Sequence, residues 1–396
     1  MKINENCLVL SHVNQPYYDF HIDEFSKNFK NLINFSYMDY FLENGLNNLE
    51  NEINNIIEKN EITYIVLWQW YSNYIPRLEF LQELREKCFV VLWLFDDDVF
   101  FHSHGKFYAQ VVDVVVTTDY FGKIMYEQLN IASLYYLSAY DKNIYKTQDI
   151  RKDIDVSFVG AINKGDRKEY IEFLESNGIR VETYGPNTKN GYISFDEMIN
   201  IFNRSKINLN FSKIAFSNSL YESNPLIGRI RQNKGRPVEI GLTNSFCLTE
   251  NAASLKYIFN IDKELDIFKD KNELLDKVNF YLSNEKARED KASNLYEKCL
   301  EEYEKDKYFP RIFSKLNNLQ KKKNTKEISY YSIERNNQFV IKEKAFFLKY
   351  AIFFLVRRKN IKLFLEMINI FFKNKFLLAL NSIIEIFKKY PVGESK

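Results

Sequence analysis

The 396-residue chain contains four cysteines and four histidines, and this scarcity narrows its chemistry. Cys7, Cys88, Cys247 and Cys299 lie far apart, with no C-x-x-C pair and no His-Cys cluster. The expected state is therefore buried thiols in a reducing compartment, without a structural zinc. The opening residues lack the basic-then-apolar pattern of a secretory signal, so the expected location is cytoplasmic, with peripheral attachment to the inner face of the cell membrane left open. The longest apolar run, Ala345 to Val356, is 12 residues and is interrupted by Lys349. It falls well short of the ~20 residues that span a bilayer. Neither a long internal repeat nor a nucleic-acid module is visible, and nucleic acid is not an expected partner.

At 45% hydrophobic and 16% aromatic residues, the chain can bury a sizeable core, which excludes global disorder. Its length suits two domains and an extra element. The formal net charge is +2, but it is unevenly placed: residues 321–396 hold 17 Lys and Arg against 6 Glu and no Asp, a net of +11, which leaves −9 on residues 1–320. An acidic body and a basic tail are expected to meet different partners.

Short β-rich runs alternate with helix-length segments. Strands are predicted at Cys7 to Val13, Ile33 to Met38, Ile62 to Trp70, Phe89 to Phe95, Val111 to Thr118 and Ser133 to Ser138. Several are apolar on both faces, as in parallel strands covered by helices. After the polar segment Tyr140 to Lys152 the pattern restarts, with strands near Val156 to Val159, Arg180 to Tyr184, Ile207 to Phe211, Phe246 to Thr249 and Leu265 to Phe268. This predicts an α/β protein of two Rossmann-like, doubly wound domains, residues 1–145 and 146–320, followed by a basic helical extension, 321–396. Helices from Asn272 to about Lys305 close the second domain, and Tyr308 to Leu319 crosses back to the first.

The richest stretch is RIRQNKGRPVEIGLTNSFCLTEN, Arg229 to Asn251, a basic cluster leading through a helix with Glu239 to a β-rich run. Cations can neutralise a diphosphate, and a carboxylate can hold ribose hydroxyls. Together with VSFVG, VETYG, ISFDEMINIFNRSKINLNFS and ELLDKVNFYL, in that order, it resembles the C-terminal half of group 1 (GT4-like) glycosyltransferases, in particular the spore-maturation CgeB-like branch. The resemblance covers residues 150–315 well and the N-terminal half loosely. It implies the GT-B fold, with the two domains facing a cleft, and a hexosyl-type transfer from a nucleotide-diphosphate sugar without an essential metal or other cofactor. The acceptor would be a glycan, a lipid-linked saccharide or a cell-surface polymer, in polysaccharide biosynthesis. A non-catalytic GT-B-like sugar-binding or assembly protein and a CDP-polyol phosphotransferase are the alternatives.

The resemblance assigns Glu239 to the ribose; the plain alternative is a solvated helix carboxylate. Arg236, Lys234 and Arg229 are candidates for the diphosphate, as are Lys164 and Arg167 after VSFVG. Gly160 and Tyr184 join the donor side, and Thr249, Glu250 and Asn251 offer backbone N–H groups and polar side chains at a strand end. Relatives with the full E-x7-E pattern carry a carboxylate where this chain has Arg231, and Asn244-Ser245 replaces their Gly-Gly turn. In the N-terminal half, FDDDVFFHSHG places three carboxylates and two imidazoles at a strand end. Asp97, Asp96 and His102 are candidates for taking the acceptor's proton, and His12, Asp98 and His104 for the acceptor side. Helix capping is the plain reading of the Asp residues. An Asp-x-Asp at a strand end also resembles the metal motif of the GT-A fold, which the two-domain recurrence disfavours. The tail, with Phe and Leu at helical spacing among lysines, suits either an anionic membrane surface or a packed helical bundle or homodimer interface.

Overall fold

The computed structural model describes residues 3–14, 16–69, 73–95, 99–214, 230–323, 335–373 and 383. The chain forms two compact units, one of residues 1–136 with 309–396 and the other of residues 137–308. All eleven predicted strands are present, within a few residues of their predicted ends.

The first unit has a six-stranded sheet of β1 (Ile3–Ser11), β2 (Phe29–Ser36), β3 (Ile62–Gln69), β4 (Phe89–Leu94), β5 (Val114–Thr117) and β6 (Ser133–Tyr135), in the order β2-β1-β3-β4-β5-β6. Every pairing is parallel. Because side chains alternate across the sheet, Leu8, Leu10, Ile65, Leu67, Val90 and Leu92 belong to one core while Trp68 and Trp93 line the other face. That second face is aromatic: Phe25 packs 4.9 Å from both Trp93 and Phe313.

Phe309 and Phe313, in the helix Lys305–Lys321, are buried on this aromatic side, whereas Phe339, Phe347, Phe354 and Met367 of the two helices Asn337–Val356 and Ile361–Phe372 are buried in the opposite core, with Leu8 and Leu10. The tail helices are therefore core elements of the first unit. Lys323 fastens their approach, donating to the carbonyls of Arg85 and Cys88 at 2.6 and 2.7 Å and pairing with Asp113 at 2.9 Å.

The second unit has β7 (Ile154–Val159), β8 (Val181–Tyr184), β9 (Ser205–Asn210), β10 (Cys247–Glu250) and β11 (Asp266–Phe268), all parallel, in the order β11-β10-β9-β7-β8. The chain runs from β7 out to β8, then returns to the other side of β7 for β9, β10 and β11. Where the direction reverses, the connections leaving β7 and β9 diverge, and a crevice opens beyond the strands' carboxyl ends. Two parallel Rossmann-like sheets of this kind make the GT-B architecture.

Candidate functional site

The strand-end crevice of the second unit begins at Gly160, whose N–H donates to the Tyr184 carbonyl at 2.8 Å. Gly185 lies alongside with φ +118°, and a Cβ there would fall 2.8 Å from the Gly160 oxygen, so the approach of the two loops requires glycine. The chain then turns into the helix Arg167–Ser176. The Arg167 guanidinium lies 5.6 Å from the Phe158 ring centre and donates through Nη1 to the Ala161 carbonyl at 3.0 Å. Its Nε is buried and has no hydrogen-bond partner among the described residues. Burial pulls its pKa below the usual arginine value; Glu250 opposes that shift and Arg236 reinforces it.

Glu250, at the end of β10, is 1% exposed. Its Oε2 accepts from the Ser212 and Lys213 backbone N–H groups, each at 2.9 Å, and its Oε1 accepts from Arg231 Nε at 2.8 Å. An antiparallel bridge joins Lys213 to Arg231, and Gln232 N donates to the Ser212 carbonyl at 2.9 Å. One buried carboxylate thus ties the two segments flanking residues 215–229. Lys213 reaches on to Asp166 as an ion pair, which links the loop after β9 to the loop after β7.

These contacts correct three of the expected donor contacts. Thr249 is fully buried, its hydroxyl accepting from Asn210 Nδ2 at 2.8 Å. Glu250 is consumed by its three donors. The Asn251 N–H, expected to face phosphate, donates to the Phe268 carbonyl at 2.8 Å. The Thr249 and Glu250 side chains and the Asn251 backbone therefore support the site's framework, while the Asn251 side chain is half-exposed at the strand end.

Glu239 stands in the first turn of the short helix Arg236–Leu242, which opens with Pro237. It forms an ion pair with Arg236, whose guanidinium sits 5.3 Å from the Phe202 ring centre. Tyr140 and Tyr145 stand close by, their hydroxyl pKa values raised by burial and then by the Glu239 charge. A Cβ at Gly235 would fall on the Tyr140 hydroxyl, so this loop too needs glycine. Two residues past the helix, Asn244 takes the left-handed conformation with φ +53° expected of a glycine replacement. Lys164 is exposed on the loop after β7 and Lys234 half-exposed ahead of the helix. The Tyr184 side chain is half-buried in the field of Glu182 and Arg204, apart from the Arg167–Glu250 group. Tyr140, Tyr145 and Lys213 escaped the sequence reading. Tyr140 and Tyr145 belong to a segment that looks like a polar linker, and Lys213 carries no motif.

In the first unit, His12 follows β1 at that sheet's own reversal point, between β1 and β3. It packs edge-on to Tyr37, and burial drives its pKa down to about 4 despite the Asp39 charge. His102 is exposed on the π-helical turn Phe101–Gly105. His104, on the same turn, is a correction: it is 1% exposed, stacks on Tyr108 at 4.6 Å and meets Tyr74 edge-on at 5.1 Å. Burial lowers its pKa to about 3, and it has no surface from which to meet an acceptor. Asp96, Asp97, Asp98 and Arg229 lie outside the described residues.

A family model described as glycosyl transferase-like matches residues 167–311, the span that holds the Arg167, Glu239 and Glu250 groups. The fold is shared with solved glycosyltransferases. A sucrose-phosphate synthase from Thermosynechococcus elongatus superposes with TM-score 0.56 at 9% identity, over 81% of this chain and 100% of its own. A glycosyltransferase from Rickettsia africae gives 0.57 at 9% identity, over 82% and 100%. Anabaena HepE, solved with UDP and glucose, gives 0.57 at 11% identity, over 80% and 100%. No curated protein sequence matches the chain significantly.

Proposed function

We propose that the chain is a GT-B glycosyltransferase whose second unit binds a nucleotide-diphosphate sugar and whose reaction passes that sugar to a hydroxyl of a glycan, a lipid-linked saccharide or a surface polymer. The family match and the fold neighbours support sugar transfer in general. One observation carries the donor side. Arg167 is a half-buried cation with an orphaned Nε, at the reversal point of a parallel sheet, and its burial, reinforced by Arg236, is offset only in part by the Glu250 charge. Such a site is short of an anion. A diphosphate supplies it, and it gains further charge as the glycosidic bond breaks, so fixed guanidiniums favour the transition state over the bound donor.

Arg236 then turns from Glu239 to the phosphates, and Glu239 accepts hydrogen bonds from the ribose hydroxyls. Lys164 and Lys234 supplement the cations, with Gly160 and Tyr184 shaping the loop beneath. HepE, with the same fold, was solved with UDP and with UDP-glucose, which makes UDP the first nucleotide to try. On the acceptor side the reading keeps Asp97, Asp96 and His102 for the proton, with His12 and Asp98 for sugar hydroxyls. It requires no metal ion.

A thermal-shift panel of UDP, GDP, dTDP, CDP and their sugars tests the donor assignment: one base family should stabilise the protein, and its sugar should be slowly hydrolysed or transferred. A specific observation favours a second reading. Arg231 stands where the fuller pattern has a carboxylate and is paired to Glu250, which suits a sugar-binding protein without turnover. Nucleotide binding without any donor consumption would select it.

A further inference from the structure

The helices Asn337–Val356 and Ile361–Phe372 of the first unit carry apolar residues on two opposite faces. In Ile361–Phe372 one stripe is buried, with Leu363, Met367 and Phe371 at most 4% exposed. Ile361, Leu365 and Phe372 fall on the opposite stripe and are 64%, 56% and 49% exposed. The preceding helix does the same at its end: Ala351 and Phe354 are buried, while Ile352, Leu355 and Val356 are exposed on an i, i+3, i+4 face. Arg357, Arg358 and Lys359, in the turn between the helices, and Lys362 just after it are all exposed. No acidic residue occurs between Lys344 and Leu365. Glu366, the next acid, accepts the Asn47 N–H at 2.7 Å and is directed at the unit's own surface.

A helix on a protein surface needs one apolar stripe to hold it there. A second stripe, bordered by four cations, needs a cover of its own. We propose that this tip, residues 352–362 with the outer stripe of Ile361–Phe372, docks on the surface of a bilayer containing anionic lipid. The apolar side chains would enter the boundary between headgroups and acyl chains, and Arg357, Arg358, Lys359 and Lys362 would meet the lipid phosphates. Charge complementarity selects this occupant. A second copy pairing through the same patch would set the four cations against their own equivalents. Among the described residues no helix is long and apolar enough to cross a membrane, so docking is interfacial. The proposal is independent of the sugar-transfer reading.

The test sediments the full chain, without nucleotide, with vesicles of phosphatidylglycerol and phosphatidylcholine and with vesicles of phosphatidylcholine alone. The protein should pellet with the anionic vesicles at low salt, be released at high salt, and bind phosphatidylcholine only weakly. Two double variants, Arg357→Glu with Arg358→Glu and Leu355→Ser with Ile361→Ser, should each cut the vesicle-bound fraction at least about tenfold, while unfolding midpoint and nucleotide affinity stay at the wild-type values. Failure to bind anionic vesicles, or variants that bind like the wild type, would overturn the proposal. So would a dimer in sedimentation velocity that the variants dissolve, which would make a second copy the cover.

Discussion

Arg231 Nε donates to the buried Oε1 of Glu250 at 2.8 Å, so the cation that replaces the first carboxylate of the E-x7-E pattern is held by a carboxylate from the strand end. The two residues lie 19 apart in sequence, and Glu250 also gathers the Ser212 and Lys213 N–H groups. Glu250 thereby organises the loops around the crevice.

Glu250→Ala removes the acceptor of two backbone donors and one guanidinium at once. Leaving such groups orphaned costs about 3 kcal/mol or more. Urea unfolding should show a loss of that size, whereas the conservative Glu250→Gln should keep part of it.

Arg167 has the opposite signature. With its pKa lowered by burial and its Nε unpartnered, it is held at a cost in the ligand-free protein. Arg167→Met should therefore leave the unfolding midpoint unchanged or raise it, while weakening nucleoside diphosphate binding at least about tenfold, as loss of a charge-assisted hydrogen bond implies. Equal losses for diphosphate and free nucleoside would show that Arg167 does not meet phosphate.

A buried and a half-buried group of the first unit should give opposite pH dependences. His104, with a folded pKa of about 3, stays neutral when folded but takes up a proton when unfolded below its ordinary value. Its contribution is complete above ~6.5 and falls with pH by about 1.4 kcal/mol per unit below that. Glu343 is pushed up to about 7 by burial, which Arg335, Lys344 and Arg77 only partly offset and Glu79 reinforces. It keeps its proton when folded, so its contribution is complete below ~4.3 and is lost as pH rises through 7. Relative to wild type, Glu343→Gln should gain stability from pH 5 to pH 8, and His104→Phe from pH 8 to pH 5. Flat difference curves in urea titrations would contradict these assignments.

If donor phosphates are held by guanidiniums, transfer should persist in excess chelator. Activity abolished by chelator and restored by manganese would instead make Asp96 and Asp98 metal ligands.

The strands were legible because parallel strands covered on both faces need near-continuous apolar runs such as ITYIVLWQW, and the sequence shows the pattern twice. The tail's composition left a membrane surface, a packed bundle and a homodimer interface open. Nor was the packing partner legible: Phe354 of the tail meets Phe41, and Phe309 and Phe313 of the helix before it meet Phe25, pairings between distant parts of the chain that no local pattern encodes. The site was legible as an inventory and not as a set of orientations. Thr249 and Glu250 have the right chemistry at a strand end, but whether such a side chain faces ligand or framework depends on Asn210, Ser212, Lys213 and Arg231, all 19 or more residues away. The units change at 136/137 and 308/309, not where composition shifts, because residues 137–145 are tied to the second unit by Tyr140 N–H donating to the Tyr303 carbonyl at 3.0 Å.

Calorimetric titration of wild type, Glu239→Ala and Arg167→Met with UDP, GDP, dTDP and CDP tests the central claim most directly. One diphosphate should bind the wild type, Glu239→Ala should weaken it about tenfold or more with the fold intact, and Arg167→Met should do likewise. Binding of none of the four, or an affinity unchanged in both variants, would contradict it.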